Sequence, residues 1–172
     1  VSTTGTDTIS GVDSTQVAVD GGGWQVSATL AEGTHSMVGR AFDRAGNLTL
    51  TPAQVVKVDG TSPTLSASVT SGTQVAGWYV TDVTVTATAT DAVSGVDLVE
   101  YRLDGGTWQV GDELVVSSEG PHTVDFRATD RAGLSATTTL SFRVDKPPPV
   151  ISFTPTGTPG ANGWYTSPVT LT

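Results

Sequence analysis

Apolar and polar residues alternate with a period of two along most of the chain. The run Val83-Thr-Val-Thr-Ala-Thr-Ala-Thr90 is the cleanest case. In an extended chain successive side chains point to opposite faces, so this run predicts a strand with Val and Ala inward and Thr outward. Leu65, Ala67 and Val69 alternate across Thr64–Thr70, and Val99, Tyr101 and Leu103 follow the same rule. So do Val124, Phe126 and Ala128, and then Leu140, Phe142 and Val144. Shorter strands are expected at Gly77–Val80, Trp108–Val110 and Glu113–Val116. Between them stand turn clusters: Asp91–Asp97, Asp104-Gly105-Gly106 and Asp130–Gly133. Asp-Gly pairs tolerate the positive φ that tight hairpins need. No segment shows a helical period.

The same blocks occur twice. Asp7-Thr-Ile-Ser-Gly-Val-Asp13 matches Asp91-Ala-Val-Ser-Gly-Val-Asp97, and Asp20-Gly-Gly-Gly-Trp24 matches Asp104-Gly-Gly-Thr-Trp108. Arg40-Ala-Phe-Asp-Arg-Ala-Gly46 matches Arg127-Ala-Thr-Asp-Arg-Ala-Gly133. Val58-Asp59 matches Val144-Asp145, and Gly77-Trp-Tyr79 matches Gly163-Trp-Tyr165. The five blocks keep one order at offsets of 84 (7 to 91), 84 (20 to 104), 87 (40 to 127), 86 (58 to 144) and 86 (77 to 163). A fixed period of this size marks a repeated structural unit. Seven or eight short strands per period fit a two-sheet antiparallel sandwich of immunoglobulin type. The expected fold class is therefore all-β, as tandem immunoglobulin-like antiparallel β-sandwiches. Three stretches are expected: 1–59, a repeat without its first strands; 60–146, a complete repeat; and 147–172, the opening strands of a third, or a donor segment for a neighbouring copy. Asp145-Lys-Pro-Pro-Pro149 reads as a stiff, extended connector.

Composition narrows the function. The 172 residues carry 17 Asp plus Glu against 8 Lys plus Arg, a net charge of −9. Nucleic acids and anionic membrane surfaces select for basic patches, so neither is an expected partner. No apolar run approaches the roughly 20 residues of a membrane-spanning helix. Cysteine is absent, which excludes disulfides and Cys-based zinc sites. Ser, His and Asp occur without a Gly-x-Ser-x-Gly elbow, and no Gly-rich loop is built for phosphate. The four Glu residues place no acid–base pair in a cleft. No catalytic role is expected, and no cofactor is required. His35 and His122 occupy the same place in two periods and cannot share a metal, so each reads as a structural residue opening a strand.

Together, Gly77-Trp-Tyr79, Asp91-x-x-Ser-Gly-Val96, Asp104-Gly-Gly-x-Trp108, Glu119-Gly-x-His122, Ala128-x-Asp-Arg-Ala-Gly133 and Val144-Asp145 carry a resemblance. The chain resembles the immunoglobulin-like repeats of bacterial cell-surface and secreted proteins. The resemblance implies an extracellular, tandem, non-enzymatic spacer or adhesive module and supplies no ligand. One departure stands out: Leu134 occupies the loop position where the first period, like the family, has Asn, here Asn47.

Candidate sites follow from the architecture. In such a sandwich the Asp91–Asp97 turn, the Asp130 turn and the end of the preceding repeat at Asp59 lie at one end. Asp59, Asp91, Asp97 and Asp130 are thus expected to converge between repeats, where calcium would stiffen the joint. The competing reading has each Asp capping its own turn. Asn47-Leu-Thr49 fits the N-glycosylation pattern. Trp24, Trp78, Trp108 and Trp164 either pack on the sandwich or form a platform for sugars. The leading expectation is a rod-like spacer or a filament or stalk subunit at the cell surface. Its partners would be neighbouring repeats or copies, head-to-tail, with strand complementation as the means of joining copies. The alternative is an adhesin or carbohydrate-binding accessory module of a secreted protein, with a surface glycan or protein as ligand.

Overall fold

The computed structural model describes residues 1–171. Among the described residues fifteen strands form, and no helix is long and apolar enough to cross a membrane. In chain order they are β1 (Val12–Val19), β2 (Gly33–Asp43), β3 (Leu48–Leu50), β4 (Gln54–Val58), β5 (Thr64–Ser71), β6 (Gln74–Val75), β7 (Trp78–Tyr79) and β8 (Val83–Thr90). Then come β9 (Val96–Leu103), β10 (Gln109–Val110), β11 (Glu113–Val116), β12 (Gly120–Asp130), β13 (Ser135–Val144), β14 (Pro155–Thr156) and β15 (Thr170–Leu171).

Residues 64–144 build two facing sheets. One has the order β10-β9-β12-β13-β7-β6, the other β11-β8-β5. Every pairing is antiparallel except β7 on β13, which meet in parallel at Tyr79 and Val144. The alternation seen in the sequence sets which residues face in. Val83, Val85 and Ala87 of β8 pack against Val124 and Phe126 of β12 and Phe142 and Val144 of β13. Phe126, Val83, Val85 and Val124 are wholly buried. Tyr79 closes the edge of this core, edge-on to Phe142 with centroids 5.9 Å apart. Its ring lies against Gly72 (φ 138°), where a Cβ would stand 2.9 Å from the tyrosine Cδ1. Only glycine fits that position.

Residues 12–58 form a single four-stranded sheet in which β2 pairs with β1, β3 and β4. Across it lie residues 1–6, tied by a bridge from Ser2 to Ser27. The last described stretch holds the β14–β15 pair.

The same hairpin turn appears in both halves. Asp104 and Gly105 both take positive φ (49° and 72°), as do Asp20 and Gly21 (51° and 72°). Two successive positive-φ residues define the turn whose twist matches a right-handed hairpin.

Candidate functional site

Three of the four expected carboxylates meet. One oxygen from each of Asp59, Asp91 and Asp130 lies within 4.8 Å of the others. Each arrives by a different route. Asp59 follows the end of β4, Asp91 follows β8, and Asp130 is the last residue of β12.

Local turn chemistry fixes each one. Asp91 Oδ1 accepts the backbone N–H groups of Val93, Ser94 and Gly95 at 3.1, 2.9 and 2.7 Å. Asp130 Oδ1 accepts those of Ala132 and Leu134 at 2.8 and 2.9 Å. Asp59 accepts from Thr61 N at 3.0 Å and, across the joint, from Ser94 N at 3.1 Å. Ser94 and the Thr61 N–H beside it hold the Asp59 carboxyl below the ordinary carboxylate range. Both expected arrangements therefore coexist here: these Asp residues cap turns and also converge.

Asp97 does not join them, and that expectation is corrected. It is the second residue of β9, one step past Val96, which pairs with Asp130. The register shifts between Thr129 and Asp130, which pair with Leu98 and Val96, so Asp97 is the unpaired extra residue of a bulge, and its side chain is exposed. Asn47 is also exposed, but its amide Nδ2 donates to Asp43 Oδ2 at 2.7 Å.

The connection between β4 and β5 is itself bonded. Glu32 Oε1 accepts from Gly60 N at 3.1 Å and from Thr61 Oγ1 at 2.6 Å. A recess of about 360 Å³ adjoins the carboxylates, lined by Thr34, Lys57, Asp59, Ser94 and Arg131 among others. Yet none of the five salt bridges among the described residues involves Asp59, Asp91 or Asp130.

Two further constellations escaped the sequence reading. His122, which is buried, directs Nδ1 at Asp104 Oδ2 (2.8 Å) and Nε2 at the Ser118 carbonyl (3.0 Å). His35 repeats this with Asp20 (2.8 Å) and the Ala31 carbonyl (3.0 Å). Asp20 first, and then the Ala31 carbonyl, raise the His35 pKa above its ordinary 6.5. The signal available was the shared position of Asp and His in both periods. Secondly, Trp108 lies under two guanidinium groups, Arg102 at 4.7 Å and Arg127 at 4.4 Å. Trp24 lies under one, Arg40, at 4.3 Å. Arg127 also binds Glu100, and Arg102 binds Asp125. These tryptophans are half-buried on the sheet face, whereas Trp164 is 77% exposed.

Two solved structures are similar to the chain at low identity. The chain has 19% identity to the PKD1 domain of Vibrio anguillarum Epp, over 52% of this chain and all of that one, with a TM-score of 0.41. It has 18% identity to the fibronectin(III)-like modules of Clostridium thermocellum CbhA, over 83% of each chain, also with a TM-score of 0.41. No curated protein matches it. The sequence model described as "Bacterial Ig-like domain (group 3)" matches residues 23–117, a stretch that runs across the Asp59 joint. That match covers more than half of the 172 residues, and the chain belongs to the family of bacterial Ig-like domains of group 3.

Proposed function

We propose that this chain is a structural module of a bacterial surface or secreted protein, a spacer that sets distance outside the cell. The observation that carries this reading is the bonded connection at residues 59–63. Asp59 grips Ser94 on one side, and Glu32 grips Gly60 and Thr61 on the other. A link held from both sides transmits orientation from one unit to the next, which a spacer needs and a flexible tether lacks. The acidic, Thr-rich strand faces suit a solvated exterior. Small-angle scattering of the 172-residue chain is expected to show an elongated particle of well-defined length. Glu32→Ala combined with Asp59→Ala should broaden its distance distribution. Scattering from a single round body, or a distribution unmoved by the double variant, would remove the reading.

One observation favours head-to-tail assembly as the finer version. Ile151, Phe153 and Leu171 are 82%, 69% and 60% exposed. One period of 86 earlier, the equivalent positions are Leu65, Ala67 and Val85, which lie on or against the core. The stretch therefore presents exposed apolar side chains that want a covering sheet. A second copy's residues 12–58 sheet could provide one, by strand addition. Sedimentation velocity tests this: concentration-dependent oligomers are expected, and they should vanish when residues 147–172 are removed. A strictly monomeric chain at all concentrations would leave covalent continuation as the arrangement. The adhesin reading rests on the exposed Trp164, and glycan-array binding abolished by Trp164→Ala would favour it.

A further inference from the structure

Two loops closed by the same backbone hydrogen bonds, Asp43–Asn47 and Asp130–Leu134, differ in one side chain. In the first, Asn47 N donates to Asp43 Oδ1 at 2.8 Å and Asn47 Nδ2 to Asp43 Oδ2 at 2.7 Å, so both carboxylate oxygens are satisfied. In the second, Leu134 N donates to Asp130 Oδ1 at 2.9 Å, but leucine has nothing to offer Oδ2. Asp130 is only 2% exposed, and its Oδ2 has no partner at all. A buried, unsatisfied carboxylate oxygen is costly, and such groups in native proteins mark a missing donor or ion.

The surroundings say which it is. The neighbouring groups are carboxylates, Asp59 and Asp91. The backbone donors to Asp91 all fall on Oδ1, at 2.7–3.1 Å, which leaves its second oxygen available. No lysine, arginine or histidine forms an ion pair with any of the three among the described residues. Three like charges gathered around an orphaned oxygen need a cation.

We propose that Asp59, Asp91 and Asp130 bind one calcium ion at the joint. All three ligands are oxygen, the preference of a hard divalent cation. Their oxygens span no more than 4.8 Å, and opposite ligands of calcium lie about 4.8 Å apart at roughly 2.4 Å each. Asp59 follows the last strand before the joint, and Asp91 and Asp130 lie at the ends of β8 and β12 after it, so the ion clamps one side to the other. The loop at Asp43 has no such demand, because Asn47 already fills it.

Calorimetric titration of the chelator-treated 172-residue chain with calcium chloride, with magnesium chloride as control, tests the proposal. One calcium per chain is expected, with a rise of several degrees in the melting temperature and a much weaker response to magnesium. Asp130→Asn should abolish binding. Leu134→Asn supplies the missing amide as Asn47 does. It should lower calcium affinity at least tenfold while raising the melting temperature in chelator, an outcome that a misfolded variant cannot mimic. No binding heat up to about 10 mM calcium, beyond the weak end for extracellular modules, would overturn the proposal. So would wild-type affinity in Asp130→Asn, or a Leu134→Asn chain no more stable in chelator than the parent. The spacer reading is measured by scattering and this one by heat, so either can fail alone.

Discussion

The sheet of residues 12–58 and the sandwich of residues 64–144 share their turns and differ in their cores. Asp20-Gly21 and Asp104-Gly105 take the same pair of positive φ values, and His35 and His122 dock on those two aspartates alike. The cores diverge. Phe126 is wholly buried, whereas its counterpart one period of 87 earlier is Gly39. Tyr101 packs on the core, whereas its counterpart at an offset of 84 is Val17. Among residues 12–58 only Val17 and Ala18 are buried hydrophobics. A groove of about 420 Å³ runs beside Gly39, between residues 3–7 and strands β2 and β3. A turn is specified by a few adjacent residues and survives anywhere. A core needs a second layer opposite, and its stability scales with the apolar area that layer covers.

The largest test of this contrast is deletion of its centre. Phe126→Ala should cost about 3–5 kcal/mol, read as a lower urea midpoint for the sandwich transition. Val17→Ala should cost about 2 kcal/mol or less, from two lost methyl groups. Equal costs would mean that the two cores are alike. Next comes the clamp on the buried histidine. Asp104→Ala leaves a His122 nitrogen unpaired, at about 1 kcal/mol. That is the low end of the range, because the Asp104 side chain is 45% exposed. Asp20→Ala, where the histidine side chain is 15% exposed against 6% for His122, should shift the midpoint less. A smaller difference separates the tryptophans. Trp108→Ala should cost about 0.5–1 kcal/mol more than Trp24→Ala, the contribution of its second guanidinium; urea titrations of the pair would show it.

The finest test is pH. The His35 pKa is raised from 6.5, so its contribution is fully present below pH 6.5 and fades as pH rises through the higher folded value. The Asp20 pKa is lowered from 3.8, chiefly by His35, so its contribution is present above pH 3.8 and fades as pH falls through the lower folded value. The pair is therefore fully formed between pH 3.8 and 6.5. In Asp20→Asn the His35 NMR titration should move back toward 6.5. An unmoved titration would mean that Asp20 is not the cause.

Strands and turns were legible because their determinants are local. The alternation in Val83–Thr90 and the Asp-Gly pairs needed no partner to be read. The β7–β13 pairing was not legible, since a parallel contact of one residue pair depends on the chain crossing between sheets. Nor was the Asp104–His122 bond, which joins residues 18 apart, because an Asp before Gly-Gly already has a role in the turn. Asp97 misled because a turn cluster was treated as one body, whereas a bulge divides it. The Asn47–Leu134 difference was visible, but its meaning lay in where the second oxygen of Asp130 points.

The parallel seat of β7 on β13 has one further consequence. The outer rim of a sheet carries unpaired backbone groups on which another molecule can zip and aggregate. Here Tyr79 pairs with Val144, the Tyr79 carbonyl receives the Asp145 N–H at 2.8 Å, and β6 folds back over β7. The Val144 end of that rim is thereby shielded by the chain's own Gly77-Trp-Tyr79 signature, so those residues blunt an edge as well as fill space.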